Sequence, residues 1–208
     1  MTHSRAVFLD RDGVLNELVF DKEECRISSP LSSSQIQIFP YVPVTIKKIQ
    51  EMGFKAIVAS NQPGVAKKQF SFSEFVRMKE KFKDRLAKEK CFLDGEYYCL
   101  HHPSAVLKKY KVKCECRKPK PGLIIRAALE NKIDLKASFF VGDSLVDVKA
   151  GKAAGCKTIL ISHMTDFLNH IMQKENIFPD YLVSSLKEVP AILLGTSKIG
   201  GVPTLRHK

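Results

Sequence analysis

No stretch of the 208 residues approaches the roughly eighteen consecutive apolar residues that a membrane-spanning helix needs. "MTHSR" runs straight into the first apolar segment without the hydrophobic core of a secretory signal peptide, so a cytoplasmic location is expected. No internal repeat is visible, and no G-x-x-x-x-G-K-[ST] phosphate loop occurs. Basic residues do not alternate with an aromatic platform of the kind that stacks single-stranded nucleic acid, which makes a nucleic-acid partner an unfavoured expectation. Acids are scarce, 22 Asp+Glu against 34 Lys+Arg, for a formal net charge of +12. That excess suits anionic partners, whether phosphates, polynucleotides or an acidic surface, and it also suits a plain lysine-rich solubilising surface. Charge alone does not choose among them.

What is present is ordinary for a folded domain: 44% hydrophobic and 27% charged residues, in a chain long enough to bury one core. Short apolar runs alternate with helix-length segments. "AVFL" at residues 6–9 reads as a buried strand, residues 42–52 as a helix ended by Gly53, and "KAIVAS" as the next strand. Ser71 and Glu74 have capping-box spacing at the start of a helix whose Phe75, Met78, Phe82 and Leu86 form a core stripe. "GEYYCL", "ASFFVG", "KTILIS" and "DYLVSS" read as further strands, with helices over 121–131, where Pro121 suits the first position, and over "LVDVKAGKAAG", closed by Gly155. The expected class is α/β, a doubly wound and mostly parallel sheet. The domain is expected to span residues 1–194 as a monomer, with 195–208 a loosely ordered basic tail.

In such a sheet ligands bind beyond the carboxyl ends of the strands. Four clusters belong there: "DRDG" after the first strand, "SNQPG" after the second, "CRKPKPG" before a helix, and "GDSLVD" after a later strand. One acidic strand end could be a solvated junction. Acids, a hydroxyl and a lysine around one crevice are instead what a phosphoryl group and a magnesium ion would need.

Six cysteines lie at 25, 91, 99, 114, 116 and 156. Cys99-x-His101, twelve residues, then Cys114-x-Cys116 supply three thiolates and an imidazole, a complete tetrahedral zinc set with no open position, so structural rather than catalytic. Incidental cysteines are the alternative. His102 would point elsewhere if His101 ligates, and Cys25, Cys91 and Cys156 read as free cysteines.

The order and spacing of the four clusters resemble the haloacid dehalogenase superfamily of phosphohydrolases. The resemblance implies that Asp10 is the nucleophile of an aspartyl-phosphate mechanism and Asp12 its general acid and base. Ser60 and Lys118 would stabilise the transferring phosphoryl group. Magnesium would be held by an Asp10 oxygen, the Asp12 carbonyl and Asp143, while Asp147 reads as a helix-face acid rather than a support for the metal. "FLDRDGVLN", "SNQPGVA", C-x-H-H-P with the later C-x-C-R-K-P, and "FVGDSLVDVKAG" are together similar to the group acting on heptose 1,7-bisphosphates and histidinol phosphate. The similarity runs from about residue 6 to about residue 194 and implies a Rossmann-like core with the zinc loop, at about 99–116, in place of a large cap. It implies that Arg117 takes part in substrate recognition and that Asn61 and Gln62 line the pocket.

The chain departs from that group at Ser60, Pro63 and Ser144, usually threonine, serine and lysine, and through "ELVFDKEECRISSPLSSSQ". The expected substrate is a small phosphorylated metabolite, foremost a sugar bisphosphate such as D-glycero-D-manno-heptose 1,7-bisphosphate. Alternatives are histidinol phosphate, a nucleic-acid 3′-phosphate, or non-catalytic binding. The run "LKKYKVK", with Lys108, Lys109 and Lys111, could attract a second, distal phosphate or be a solvated loop face.

Overall fold

β1 (Arg5–Leu9) carries apolar side chains on both of its faces, and the rest of the molecule is arranged to cover them. In the computed structural model, in which residues 3–22 and 25–195 are described, Val7 and Leu9 enter one core while Ala6 and Phe8 enter another on the opposite side of the sheet. β4 (Phe54–Asn61) repeats the division, with Ala56 and Val58 on one face and Ile57 and Ala59 on the other. A strand buried on both faces has no use for polar alternation, which is why these segments are continuous apolar runs.

Four more strands complete a six-stranded parallel sheet: β5 (Gly95–Cys99), β6 (Phe139–Gly142), β7 (Lys157–Ile161) and β8 (Tyr181–Val183), in the order β5-β4-β1-β6-β7-β8. Parallel neighbours need crossovers, and helices supply them. α1 (Val42–Glu51) and α2 (Phe72–Lys88) feed the first core; α3 (Gly122–Asn131) and α4 (Leu145–Ala154) feed the second. The sheet is therefore doubly wound, as the pattern predicts. Among the described residues no large cap domain is inserted. An antiparallel pair, β2 (Val19–Asp21) and β3 (Arg26–Ser28), follows the first cluster instead.

Several details differ from the sequence expectations. Ser71 caps α2 by accepting from Glu74 N at 3.0 Å, but Glu74 does not close the box. Its carboxylate accepts from Ser33 N at 2.6 Å and from Arg77 Nε at 2.7 Å, so it anchors the 3-10 turn Ser33–Gln35. Pro121 is the cap residue of α3 rather than its first helical residue. Two helices had no clear sequence signal, α5 (Asp166–Glu175), whose one fully buried side chain is Met172, and the short α6 (Val189–Leu193). Of the predicted basic tail, residues 196–208 lie outside the described residues. No described helix is long and apolar enough to cross a membrane.

The register brings the chemistry together. Leu9 pairs with Val58 in β4 and with Val141 in β6, so β1 and β6 end within a residue of each other while β4 runs three residues further, to Asn61, alongside the residues that follow β1. Asp10 N then donates to Val141 O at 2.9 Å.

Candidate active site

Asp10 leaves β1 beside Ser60, whose hydroxyl helps to lower its carboxyl. Lys118, buried to 2% exposure, brings Nζ to 3.0 Å from Asp10 Oδ2 and 2.7 Å from Asp147 Oδ1. Burial raises the Asp10 carboxyl to about 6 against the lowering pull of Lys118. Asp143 follows β6 and is raised to about 7, first by burial and then by the charge of Asp10.

Asp147 is not the surface helix acid expected from its place in α4. It is buried at 1% exposure, pairs with Lys118, and accepts from Ser144 Oγ at 2.6 Å and Ser144 N at 3.2 Å. Ser144 caps α4 and Asp147 sits at the third helical position, so a capping box turns the carboxylate back toward the strand end. The bare Cα of Gly142 leaves room for it, because a Cβ there would run into the Asp147 side chain. Asp10, Asp143 and Asp147 each offer an oxygen to a set lying within 4.8 Å. Gly13 permits the close packing, with φ +81° and no Cβ to strike the Asp143 carboxylate.

Asp12 lies on the other side of the loop. Arg11, fully buried, donates from Nε to Asp12 Oδ1 at 2.9 Å and from Nη2 to Asp12 Oδ2 at 3.3 Å. Gln62 Nε2 donates to Asp12 Oδ2 at 2.8 Å, and Gln62 Oε1 accepts from Arg11 Nη2 at 2.9 Å. Burial would raise this carboxyl, but the guanidinium charge and these bonds hold it below the usual range. Asn61 turns its amide onto the Lys118 peptide, donating to Lys118 O and accepting from Lys118 N, each at 3.1 Å. The amides expected to line a substrate pocket thus bond to the protein. Arg11, set between two acids, went unassigned from sequence; its spacing gives no sign of a buried side chain.

Cys99 ends β5, and Cys99, His101, Cys114 and Cys116 offer four donors within 4.8 Å. Cys99 Sγ is 3.8 Å from Cys114 Sγ and 3.3 Å from Cys116 Sγ, and His101 Nδ1 is 3.3 Å from Cys116 Sγ. Tetrahedral zinc with Zn–S of about 2.3 Å places its sulfurs roughly 3.8 Å apart, so the set fits that ion. His102 stands outside the cluster, its Nδ1 accepting from Ser104 N at 3.0 Å. Arg117 Nη1 donates to His101 O at 3.2 Å, and Lys108–Tyr110 form an exposed 3-10 turn in the same loop.

Comparison with known proteins agrees with this geometry. The HAD-hydrolase-like family profile matches residues 115–189. D-glycero-beta-D-manno-heptose-1,7-bisphosphate 7-phosphatase of Photorhabdus laumondii subsp. laumondii is 33% identical over 197 residues, 93% of this chain and 97% of that protein. This chain belongs to the haloacid dehalogenase-like phosphatases. The phosphatase of the same name from Escherichia coli (strain K12) is 32% identical over 188 residues, 89% of this chain and 91% of its own. The solved D,D-heptose 1,7-bisphosphate phosphatase of B. bronchiseptica, complexed with magnesium and phosphate, superposes with a TM-score of 0.73 at 26% identity, over 93% of this chain and 99% of the other. Within this haloacid dehalogenase-like phosphatase, Asp10, Asp12, Ser60, Lys118 and Asp143 gather at one end of the sheet, with Asp147 added.

Proposed function

We propose that this phosphatase hydrolyses a phosphomonoester of a small sugar bisphosphate, D-glycero-β-D-manno-heptose 1,7-bisphosphate first among candidates, through a phosphorylated Asp10. The observation that carries the reading is the Lys118 ammonium buried between Asp10 and Asp147, with Asp12, two residues along the chain from Asp10, held separately by Arg11. A stability device would gain little from gathering Asp10, Asp12, Asp143 and Asp147 around a buried lysine and a buried arginine, because buried ion pairs seldom repay their desolvation.

An Asp10 oxygen attacks phosphorus as the ester P–O bond breaks, and the departing alkoxide takes a proton from Asp12. Water then attacks the phosphorus of phospho-Asp10, gives its proton to Asp12, and releases phosphate with the Asp10 carboxylate restored. The resting Arg11–Asp12 pair suits the base of the second step. A phosphate dianion arriving beside the acids raises their carboxyls and suits Asp12 to the first. Ser60 and Lys118 hold charge on the phosphoryl oxygens, and Arg117, at the rim of the loop, takes part in recognition.

Asp10, Asp143 and the Asp12 carbonyl would hold magnesium, beside Asp147; hard carboxylate oxygens suit that ion. Bound magnesium would supply positive charge to offset that of the phosphate and acids. Cys99, His101, Cys114 and Cys116 would hold zinc, which would supply folding free energy to a loop with little core of its own. By this reading residues 1–194 form the phosphatase domain of a cytoplasmic monomer.

Phosphate release with magnesium, from heptose and hexose bisphosphates, histidinol phosphate and a 3′-phosphorylated oligonucleotide, tests the proposal. Selective turnover of one sugar bisphosphate, lost in Asp10→Asn, is expected. Activity surviving Asp10→Asn would refute the nucleophile, and preference for histidinol phosphate or the oligonucleotide would refute the substrate class.

A further inference from the structure

Three consecutive residues at the carboxyl end of β4 each hold a different member of the site. Ser60 acts on Asp10, lowering its carboxyl. Asn61 bonds to both the N–H and the C=O of Lys118. Gln62, 3% exposed, bonds to Asp12, to Arg11 and, at 3.2 Å, to Ser60 Oγ.

The orientations of both amides are fixed by chemistry. A peptide N–H can only donate and a peptide C=O only accept, so Asn61 must turn Oδ1 to Lys118 N and Nδ2 to Lys118 O. Arg11 has no acceptor to offer, so Gln62 must turn Oε1 toward it and Nε2 toward the carboxylate. The backbone beneath them is equally fixed. Asn61 pairs in register with Cys99, and Gln62 N donates to Cys99 O at 2.7 Å.

We infer that the side chains of Asn61 and Gln62 are positioning groups, that of Asn61 for Lys118 and that of Gln62 for Asp12, and that these amides act through those residues; this rests on the catalytic reading above. Lys118 lies between β5 and α3 in a stretch that belongs to no helix or strand, and its ammonium sits at the end of four flexible methylenes. Clamping its peptide at both polar atoms fixes the base of that side chain over the distance to Asp10. Gln62 closes a ring with Arg11 and Asp12 in which each member bonds to the other two. The carboxylate is thereby held from two directions.

The test is steady-state kinetics with magnesium of Asn61→Ala and Gln62→Met on p-nitrophenyl phosphate and on D-glycero-β-D-manno-heptose 1,7-bisphosphate, with thermal unfolding as a check on folding. Loss of a residue that orients a reacting group typically costs about 10–100-fold. Asn61→Ala is expected to lower kcat by about that factor on both substrates while leaving KM within about threefold. Gln62→Met is expected to lower kcat more on the heptose ester than on the aryl ester, since p-nitrophenolate departs without needing a proton from Asp12. Should Asn61→Ala fail to fold, the isosteric Asn61→Asp, which turns an oxygen toward Lys118 O, is expected to show the same kcat loss.

A rise in KM of tenfold or more for the bisphosphate alone, with p-nitrophenyl phosphate kinetics intact, would mean substrate contact and overturn the inference. Unchanged kinetics on both substrates would overturn it as well. Asp10→Asn run in parallel separates the cases, because its survival would fault the catalytic reading rather than the roles of Asn61 and Gln62.

Discussion

Lys118→Met removes the one cation among Asp10, Asp143 and Asp147 while keeping most of the side-chain volume against Phe140, whose ring centroid lies 5.2 Å from the ammonium. Contacts of 3.0 and 2.7 Å are each worth roughly 6 kcal/mol of gross attraction at an effective dielectric constant of about 20. Desolvation of the three charged groups offsets much of this, and removing one partner of a buried pair typically costs about 3–5 kcal/mol. The cost should depend on pH. Asp10, at about 6 with Lys118 present, loses the neighbour that lowers it and moves higher, while Asp143 already stands at about 7.

Folded carboxyls raised above their unfolded value bind more protons than the unfolded chain does, so they lower stability as pH rises from about 4 through 7. The variant should therefore fall behind the parent by about 3–5 kcal/mol at pH 8 and by less at pH 5, where Asp10 and Asp143 are protonated and only the contact with Asp147 is lost. Asp12 is lowered and acts in the opposite sense, in a window below its ordinary value of 3.8, so it does not blur the comparison. Urea unfolding at both pH values, in magnesium-free buffer with zinc retained, measures the difference. A variant within about 1 kcal/mol of the parent at pH 8, or a deficit that grows toward acid pH, would refute the account of the site.

Three further outcomes follow from particular residues. Gly13→Ala meets both a left-handed backbone and the Asp143 carboxylate, whereas Gly155→Ala, at φ +88°, meets open space. The latter should cost about 1–2 kcal/mol of backbone strain with kcat unchanged, the former more, with kcat reduced, and equal effects on unfolding and kcat would sink the packing argument. Iodoacetamide at neutral pH should modify exposed Cys25 first and spare Cys156, which burial pushes up to about 12, and Cys91, which burial also raises. Peptide mass mapping should then find Cys99, Cys114 and Cys116 labelled only after chelation, and early labelling of these three would deny a metal there. Replacing Lys108, Lys109 and Lys111 by glutamine should raise KM for the heptose bisphosphate far more than for p-nitrophenyl phosphate; equal changes would exclude a distal-phosphate role.

What could be read in the sequence was set by the range of the forces involved. β1 and β4 were legible because a strand buried on both faces must be apolar throughout, and α2 because Phe75, Met78, Phe82 and Leu86 recur at helical spacing. The hairpin β2–β3 leaves Phe20 and Ile27 exposed on three-residue strands, and α5 exposes Phe167, so neither carries a burial pattern to find. The chemistry of the four clusters was legible because residue types reveal it. Asp147 was misplaced even though Ser144-x-x-Asp147 held the local signal, a capping box that turns an N-terminal acid inward.

Arg11, Asn61 and Gln62 are a different case. Their partners lie up to 57 residues away in sequence, and an amide reads the same whether it faces substrate or a peptide. Only the register of β1, β4 and β6 decides that. Leu9, Val58 and Val141 stand in one row, so the residues just beyond β1 and those closing β4 arrive at a common level, where the last residues of β4 can reach Asp10, Asp12 and Lys118 together. A one-residue slip of β4 would turn Asn61 to the side that Ser60 and Gln62 now occupy and break all three attachments at once. The apolar pairing of buried strands therefore bears on catalysis directly: it sets the register on which the lysine and both acids depend.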